Sequence, residues 1–182
     1  MSLVAAWRDD ALDWSAGRAW QWRLPLLAVL AWIGVRHLAD PTYWSIFMGL
    51  TLAFHEVGHI LFSPFGETLT IAGGSITQLV VPIAATWMLR RQRDWFGVAV
   101  GGCWLSYSFC NLATYVNDAR SGDLPLVGLG DGEPIHDWNW LLDAAGWLHY
   151  DHAIAHALRL GAALILALSV GGGAWLCRRM AG

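Results

Sequence analysis

The most informative segment of the sequence is TLAFHEVGHILF, residues 51–62, in which two histidines and a glutamate interrupt an apolar run. Residues four apart lie on one face of a helix, so His55 and His59 project together as an H-E-x-x-H pair, with Glu56 beside them. Ionisable groups in the hydrocarbon region are costly unless they face a protein interior or a water-filled cavity. Three of them in five residues therefore indicate a functional site. The alternative is a histidine pair that only hydrogen-bonds neighbouring helices together.

The composition places this stretch in a membrane protein, because 56% of the 182 residues are hydrophobic and only 14% are charged. A membrane span needs about 20 mostly apolar residues. Five stretches are candidates: residues 19–35, 43–62, 75–89, 95–116 and 154–177. Many of the 13 tryptophans fall near their ends, as an interfacial aromatic belt requires. We expect an all-α polytopic membrane protein with about five spans in a single domain, residues 1–182.

The segments around the spans have patterns of their own. Residues 1–20 combine apolar and acidic positions at helical spacing, which predicts a helix lying in the membrane interface. Residues 65–74, FGETLTIAGG, contain glycines and a β-prone run, which predicts a short extended or re-entrant segment where a peptide could pair as a strand. On this division residues 43–116 form the core of a metal site, residues 117–152 a non-cytoplasmic loop and helix, and residues 153–179 the last span.

Arginine clusters predict the orientation. Those at residues 90–93 and 178–179 mark the cytoplasmic side. The H-E-x-x-H motif lies near the opposite end of its span, so the site is expected to face the non-cytoplasmic side. Five spans also put the N-terminus, with the arginines of residues 8–23, on that side, against the positive-inside tendency. The first span is therefore alternatively a hairpin or a re-entrant segment.

A catalytic zinc site usually has three protein ligands and a position for water, so the histidine pair needs one more ligand. Asp118 ends the fourth predicted span at about the depth of the motif. His136 lies where a loop re-enters the membrane, and the adjacent Asp137 is a further ligand candidate or an orienting partner. The structural alternatives are that Asp118 caps a helix end or pairs with Arg120, and that Asp137 caps the following helix.

Three more histidines, His149, His152 and His156, share one helix face. They predict a second metal site, a substrate-lining stripe or interfacial histidines without a ligand. The 3 cysteines lack C-x-x-C spacing, so a metal would depend on histidines and carboxylates. The net charge of −3 does not indicate a nucleic-acid partner.

These residues resemble the site-2 protease family of intramembrane zinc metalloproteases, and in particular a branch of uncharacterised bacterial membrane peptidases. The resemblance implies His55 and His59 as Zn²⁺ ligands, Glu56 as the general base and a location in the bacterial inner membrane. In that family the third ligand is an aspartate within N-x-x-P-x-x-x-L-D-G, whereas this chain reads NLATYVNDARSGDLP. Asp118 matches that aspartate in order and depth.

The expected function is a membrane-embedded zinc metallohydrolase, specifically an intramembrane peptidase with a membrane-protein or peptide substrate in the lipid bilayer. One alternative is a non-proteolytic membrane protein that binds iron or copper, since imidazole suits several metals. Another is an accessory or structural subunit of a larger membrane complex, in which the motif holds a structural metal.

Overall fold

The computed structural model describes residues 2–127 and 134–182, which fold into seven α-helices. Residues 128–133, part of the predicted non-cytoplasmic loop, lie outside the described residues. The helices are α1 (Leu3–Ser15), α2 (Arg23–Ala39), α3 (Ile46–Phe62), α4 (Glu67–Arg91), α5 (Trp95–Asn117), α6 (Asp137–Ala144) and α7 (Asp151–Ala181). Within these ranges there is no strand, and the predicted all-α class is confirmed.

Four segments of the described chain are long and apolar enough to cross a membrane: Ile46–Phe65, Glu67–Arg91, Trp95–Asn117 and Leu148–Ala181. They correspond to four of the five predicted spans. The fifth, α2, has 17 residues and is therefore about 25 Å long, which is short for a hydrocarbon core of about 30 Å. This architecture is compatible with an integral membrane protein.

The predicted extended segment at residues 65–74 is wrong. After a short 3₁₀ turn, Ser63–Phe65, the chain reverses at Gly66, whose φ of 95° suits glycine, and α4 begins at Glu67. The Thr70 hydroxyl donates to the carbonyl of Gly66 at 2.9 Å and so bonds within the helix. Helix packing outweighs the β propensity of this run, and the expected strand edge for a peptide is absent from it.

Glycines bring α3 and α4 into direct contact. A Cβ on Gly58, the glycine of the H-E-x-x-H stretch, would overlap the carbonyl of Gly73. A Cβ on Gly73 would lie 2.7 Å from the carbonyl oxygen of Gly58 and from Cβ of Phe62. Such close backbone approach is typical of membrane helix pairs. It sets the start of α4 beside the histidine face of α3.

The N-terminal helix α1 lies at the turn between α4 and α5. Asp10 on α1 accepts a hydrogen bond from Nε1 of Trp95 at 3.1 Å and pairs with Arg90 at 3.5 Å and Arg93 at 3.2 Å. Its carboxylate therefore ties α1 to the arginine cluster. The prediction that the N-terminus lies at the opposite end is wrong.

The N-terminus lies at the arginine end because α2 and α3 run in the same direction. Helix α2 is a single helix that begins near α1, where Trp22 packs on Phe96 at 5.9 Å. Helix α3 begins with Phe47 packed on Tyr107, near the middle of α5, at 5.0 Å, and then brings His55 to within 5.7 Å of Tyr115 near the end of α5. Both helices thus run away from the arginine end. The connection between them lies beside the middle of α5 and not at either end of the helices that could cross a membrane.

Candidate metal centre

Hydrogen bonds to main-chain and amide acceptors hold both rings of the histidine pair. Nδ1 of His55 lies 2.8 Å from Oε1 of Gln78, whose Nε2 donates to the carbonyl of Ser108 at 3.2 Å. A carbonyl can only accept, so this bond defines which way the Gln78 amide faces and makes Nδ1 of His55 the donor. Nδ1 of His59 likewise donates to the carbonyl of Thr70 at 2.8 Å. In both neutral rings the lone pair is therefore on Nε2.

The two Nε2 atoms converge on a third group, the carboxylate of Asp137. Its Oδ2 lies 3.0 Å from Nε2 of His55 and 3.3 Å from Nε2 of His59. Lone pairs and a carboxylate oxygen repel one another unless a proton or a cation lies between them. Zinc with bonds of about 2.0–2.1 Å in a tetrahedral shell needs ligand atoms roughly 3.3 Å apart, so this spacing fits such an ion.

The space between the three ligand atoms is open because residue 74 has no side chain. A Cβ on Gly74 would lie 2.7 Å from Nε2 of His55 and 2.7 Å from Nε2 of His59. Alanine at this position would enter the space that a metal ion needs. Gly74 ends the segment that was predicted to be extended, but in the structure it lies within α4 and accommodates the rings.

Asp137 is the first residue of α6 and is 5% exposed. Its main-chain N–H donates to the hydroxyl of Tyr115 at 2.9 Å. Burial by itself would raise the pKa of the Asp137 carboxyl. When protons rather than a metal ion lie between the ligand atoms, hydrogen bonds from His55 and His59 and the positive charge of their rings outweigh burial and hold that pKa below its ordinary value. Of the three candidates for the third ligand, Asp137 is the one that meets the histidine pair.

The other two candidates, Asp118 and His136, meet each other instead. Asp118 accepts hydrogen bonds from the Ser121 hydroxyl at 2.6 Å and from the main-chain amides of Asp123 at 2.9 Å and Leu124 at 3.1 Å. Burial opposes the charged form of Asp118, yet these bonds hold the pKa of its carboxyl below its usual range. Nε2 of His136 lies 3.3 Å from Oδ2 of Asp118. Both residues stand outside the cluster of His55, His59 and Asp137.

The structural alternatives considered for these residues are partly realised. Asp118 caps its own loop and does not pair with Arg120, which binds Asp151 through two contacts of 2.7 Å. The N-cap of α6 is His136, whose Nδ1 accepts from the amide of Asn139 at 3.2 Å. Asp137 is thus left free to reach the histidine pair.

The three histidines near the start of α7 do not form a cluster. Nδ1 of His152 bonds Oδ1 of Asn117 at 2.8 Å, and His149 packs on Tyr150 at 3.9 Å. In the part of the chain that the structure describes, the one group of histidines, cysteines and carboxylates with metal-ligand spacing is the one formed by His55, His59 and Asp137.

A cavity of about 960 Å³ covers the cluster. One face of α3 lines it, through Met48, Leu52, Glu56 and Ile60, over a rise of about 18 Å. The connection between α2 and α3, the end of α5 and the loop residues 124–127 and 134–135 supply the other walls, which are mostly apolar. Glu56 is half-buried and faces the same space as the histidine pair.

Two supporting residues were not predicted from the sequence. Gln78 is a polar residue inside an apolar span and is 2% exposed, a placement that signals function or pairing. Tyr115 had no such signal, because an aromatic residue near a span end is common in membrane proteins.

Comparisons of the chain with protein-family models, with curated proteins and with solved structures find no match. The resemblance to site-2 proteases therefore stays a prediction from the motif. The functional argument depends on the geometry of the site.

Proposed function

We propose that this protein is a membrane-embedded zinc metallohydrolase that acts as an intramembrane peptidase. One observation carries the proposal: both histidines donate through Nδ1, so that both Nε2 lone pairs face the carboxylate of Asp137. Glu56 lies on the wall of the same cavity. This arrangement combines a set of metal ligands with a nearby proton acceptor.

His55, His59 and Asp137 would hold the zinc ion through two nitrogens and one oxygen, the three-ligand set typical of catalytic zinc. When bound, zinc supplies Lewis-acid chemistry that lowers the pKa of a water molecule to about 7 and polarises a carbonyl. Gln78 and Thr70 keep the two imidazoles in the tautomer that this requires.

Glu56 would serve as the general base. Its carboxylate accepts the proton of the attacking water and returns it to the amine that leaves, as a carboxylate next to an H-E-x-x-H site can do. The apolar walls of the cavity would hold an apolar chain and exclude bulk water from the reacting bond. Irregular backbone such as residues 40–45 is tolerated at membrane depth where it lines a cavity of this kind.

Glu56→Gln tests the mechanism because it keeps the shape of the side chain and removes the proton acceptor. Zinc content of the purified protein should stay at the wild-type level, while cleavage of fluorogenic apolar peptides should fall by about 10² to 10⁴-fold. Glu67→Gln is the matched control, because Glu67 is exposed at the start of α4 and should not affect cleavage. Full activity in Glu56→Gln would exclude the hydrolytic mechanism.

A second candidate function has support from the same ligands. Two histidines and one carboxylate also form the facial triad of non-haem iron oxygenases. Elemental analysis distinguishes the two: iron in the purified protein, with cleavage absent and Glu56→Gln without effect, would favour a redox protein.

We further propose that the protein lies in a bacterial inner membrane with the metal centre towards the non-cytoplasmic side. The support is the distribution of arginine, since α1, the start of α2, the α4–α5 turn and the end of α7 meet at one end. That end carries eight of the eleven arginines: Arg8, Arg18, Arg23, Arg90, Arg91, Arg93, Arg178 and Arg179. The positive-inside tendency makes it the cytoplasmic end.

A further inference from the structure

We infer that Asp118, His136 and Tyr115 form a support that positions Asp137 over the histidine pair, and that this support sets the metal affinity of the centre. The inference rests on the metal centre of the proposed function but not on hydrolysis. The two residues predicted as ligands, Asp118 and His136, would then act on the metal through a neighbouring residue.

The base of the support is Asp118, which is 6% exposed. It stands directly after α5 and gathers three donors from residues 121–124 at 2.6 to 3.1 Å. With both carboxylate oxygens engaged, the side chain has little freedom to move. A buried carboxylate bound in this way is a fixed point for whatever packs against it.

His136 connects this base to the ligand segment. Its Nδ1 accepts the amide hydrogen of Asn139, so in the neutral ring Nε2 carries the hydrogen. Nε2 lies 3.3 Å from Oδ2 of Asp118, a polar contact whose geometry is not that of a hydrogen bond. The face of the ring stacks on Tyr115, with centroids 4.4 Å apart and an interplanar angle of 29°. The residue immediately before Asp137 is therefore held by the hydrogen bond at Nδ1 and by stacking of one ring face on Tyr115.

Tyr115 completes the support by contacting both the ligand segment and a ligand. Its hydroxyl accepts the main-chain N–H of Asp137 at 2.9 Å, and its ring stands edge-to-face with His55 at 5.7 Å. Nδ2 of Asn139 also donates to the carbonyl of Ala119 at 2.7 Å, which ties α6 to the end of α5. These contacts tie Asp137 to the end of α5, and Nε1 of Trp138 also donates to Oγ of Ser75 on α4 at 3.0 Å.

Such support is needed because Asp137 follows a long connection from α5, whereas the histidines stand on a single rigid helix. A ligand that follows a long connection must still be held to about 0.5 Å to serve a metal well. Partners that orient a ligand typically contribute 10- to 100-fold to metal affinity. We expect the support to contribute within this range.

Two substitutions test the support in the full-length protein. His136→Asn keeps a side-chain acceptor for the amide of Asn139, so α6 stays capped, but removes the ring that stacks and faces Asp118. Tyr115→Phe keeps the ring and removes only the hydroxyl. Zinc affinity, measured by competition with a chelator, should weaken by about 10- to 100-fold in each. Asp10→Asn, a carboxylate change at the arginine end, should leave zinc affinity unchanged.

A double-mutant cycle distinguishes positioning from general destabilisation. If the support acts through Asp137, adding His136→Asn or Tyr115→Phe to Asp137→Ala should weaken zinc binding no further. Losses that add in full would overturn the inference and leave the metal centre standing. A wild-type protein that binds no zinc would overturn the proposed metal centre itself, and the support with it.

Discussion

Gly74→Ala is the most direct test of the geometry of the metal centre. The added Cβ would lie 2.7 Å from Nε2 of both histidines, closer than such contacts occur, so the rings of His55 and His59 must turn away. Their Nδ1 bonds to Gln78 and Thr70 oppose that rotation. We expect zinc affinity to fall by about 100-fold or more, beyond the loss of a mere orienting partner.

The effect of Gly74→Ala on folding should be much smaller. Overpacking costs about 1–3 kcal/mol, while alanine in place of glycine within a helix stabilises by roughly 1 kcal/mol. The net loss in the free energy of unfolding should therefore be at most about 2 kcal/mol. If Gly74→Ala nearly abolishes zinc binding but the protein still folds, the substitution acts at the metal centre and not on the fold.

The assay is zinc titration by chelator competition together with thermal unfolding of the metal-free protein. Gly49→Ala is the matched control, because Gly49 lies on α3 with nothing within 4 Å of its would-be Cβ. It should bind zinc as the wild type does and be equally or slightly more stable. Wild-type zinc affinity in Gly74→Ala would refute the convergence of the two Nε2 atoms beside residue 74.

Three further predictions concern packing, tautomer and orientation. Gly58→Ala should separate α3 from α4, since its Cβ overlaps the α4 backbone. Its melting temperature should therefore lie well below that of the control Gly49→Ala. Gln78→Leu should weaken zinc binding by about 10- to 100-fold, and unchanged affinity would contradict the assigned tautomer of His55. In a background without the native cysteines, Ser121→Cys should react with an impermeant thiol reagent outside the cell and Arg91→Cys should not; reaction only at position 91 would reverse the orientation.

Local patterns were enough to predict the parts of the protein that short stretches of chain determine. The spacing of His55 and His59 places them on one face of any helix, wherever that helix lies. Hydropathy likewise located four of the apolar helices, because a run of apolar residues needs no partner to be recognised. Both features depend only on neighbours in sequence.

The third ligand could not be chosen in that way. Asp118, His136 and Asp137 lie within twenty residues of one another and were expected near the same depth. Which of them reaches the histidines depends on how the loop closes: Asp118 is engaged by loop amides and His136 caps α6, which leaves Asp137 for the centre. A sequence pattern does not predict which of these segments contact each other.

The turn after the motif and the direction of the first helices were also decided by tertiary packing. Gly73 and Gly74 belong to the segment that was predicted to be extended, but in the structure their missing side chains allow the contact with Gly58 and make room for the histidine rings. Hydropathy counts apolar segments without showing at what depth each begins, so it could not reveal that α3 starts near the middle of α5. Motif and helices therefore follow from the sequence alone, while ligand choice, helix contact and chain direction depend on which distant segments pack together.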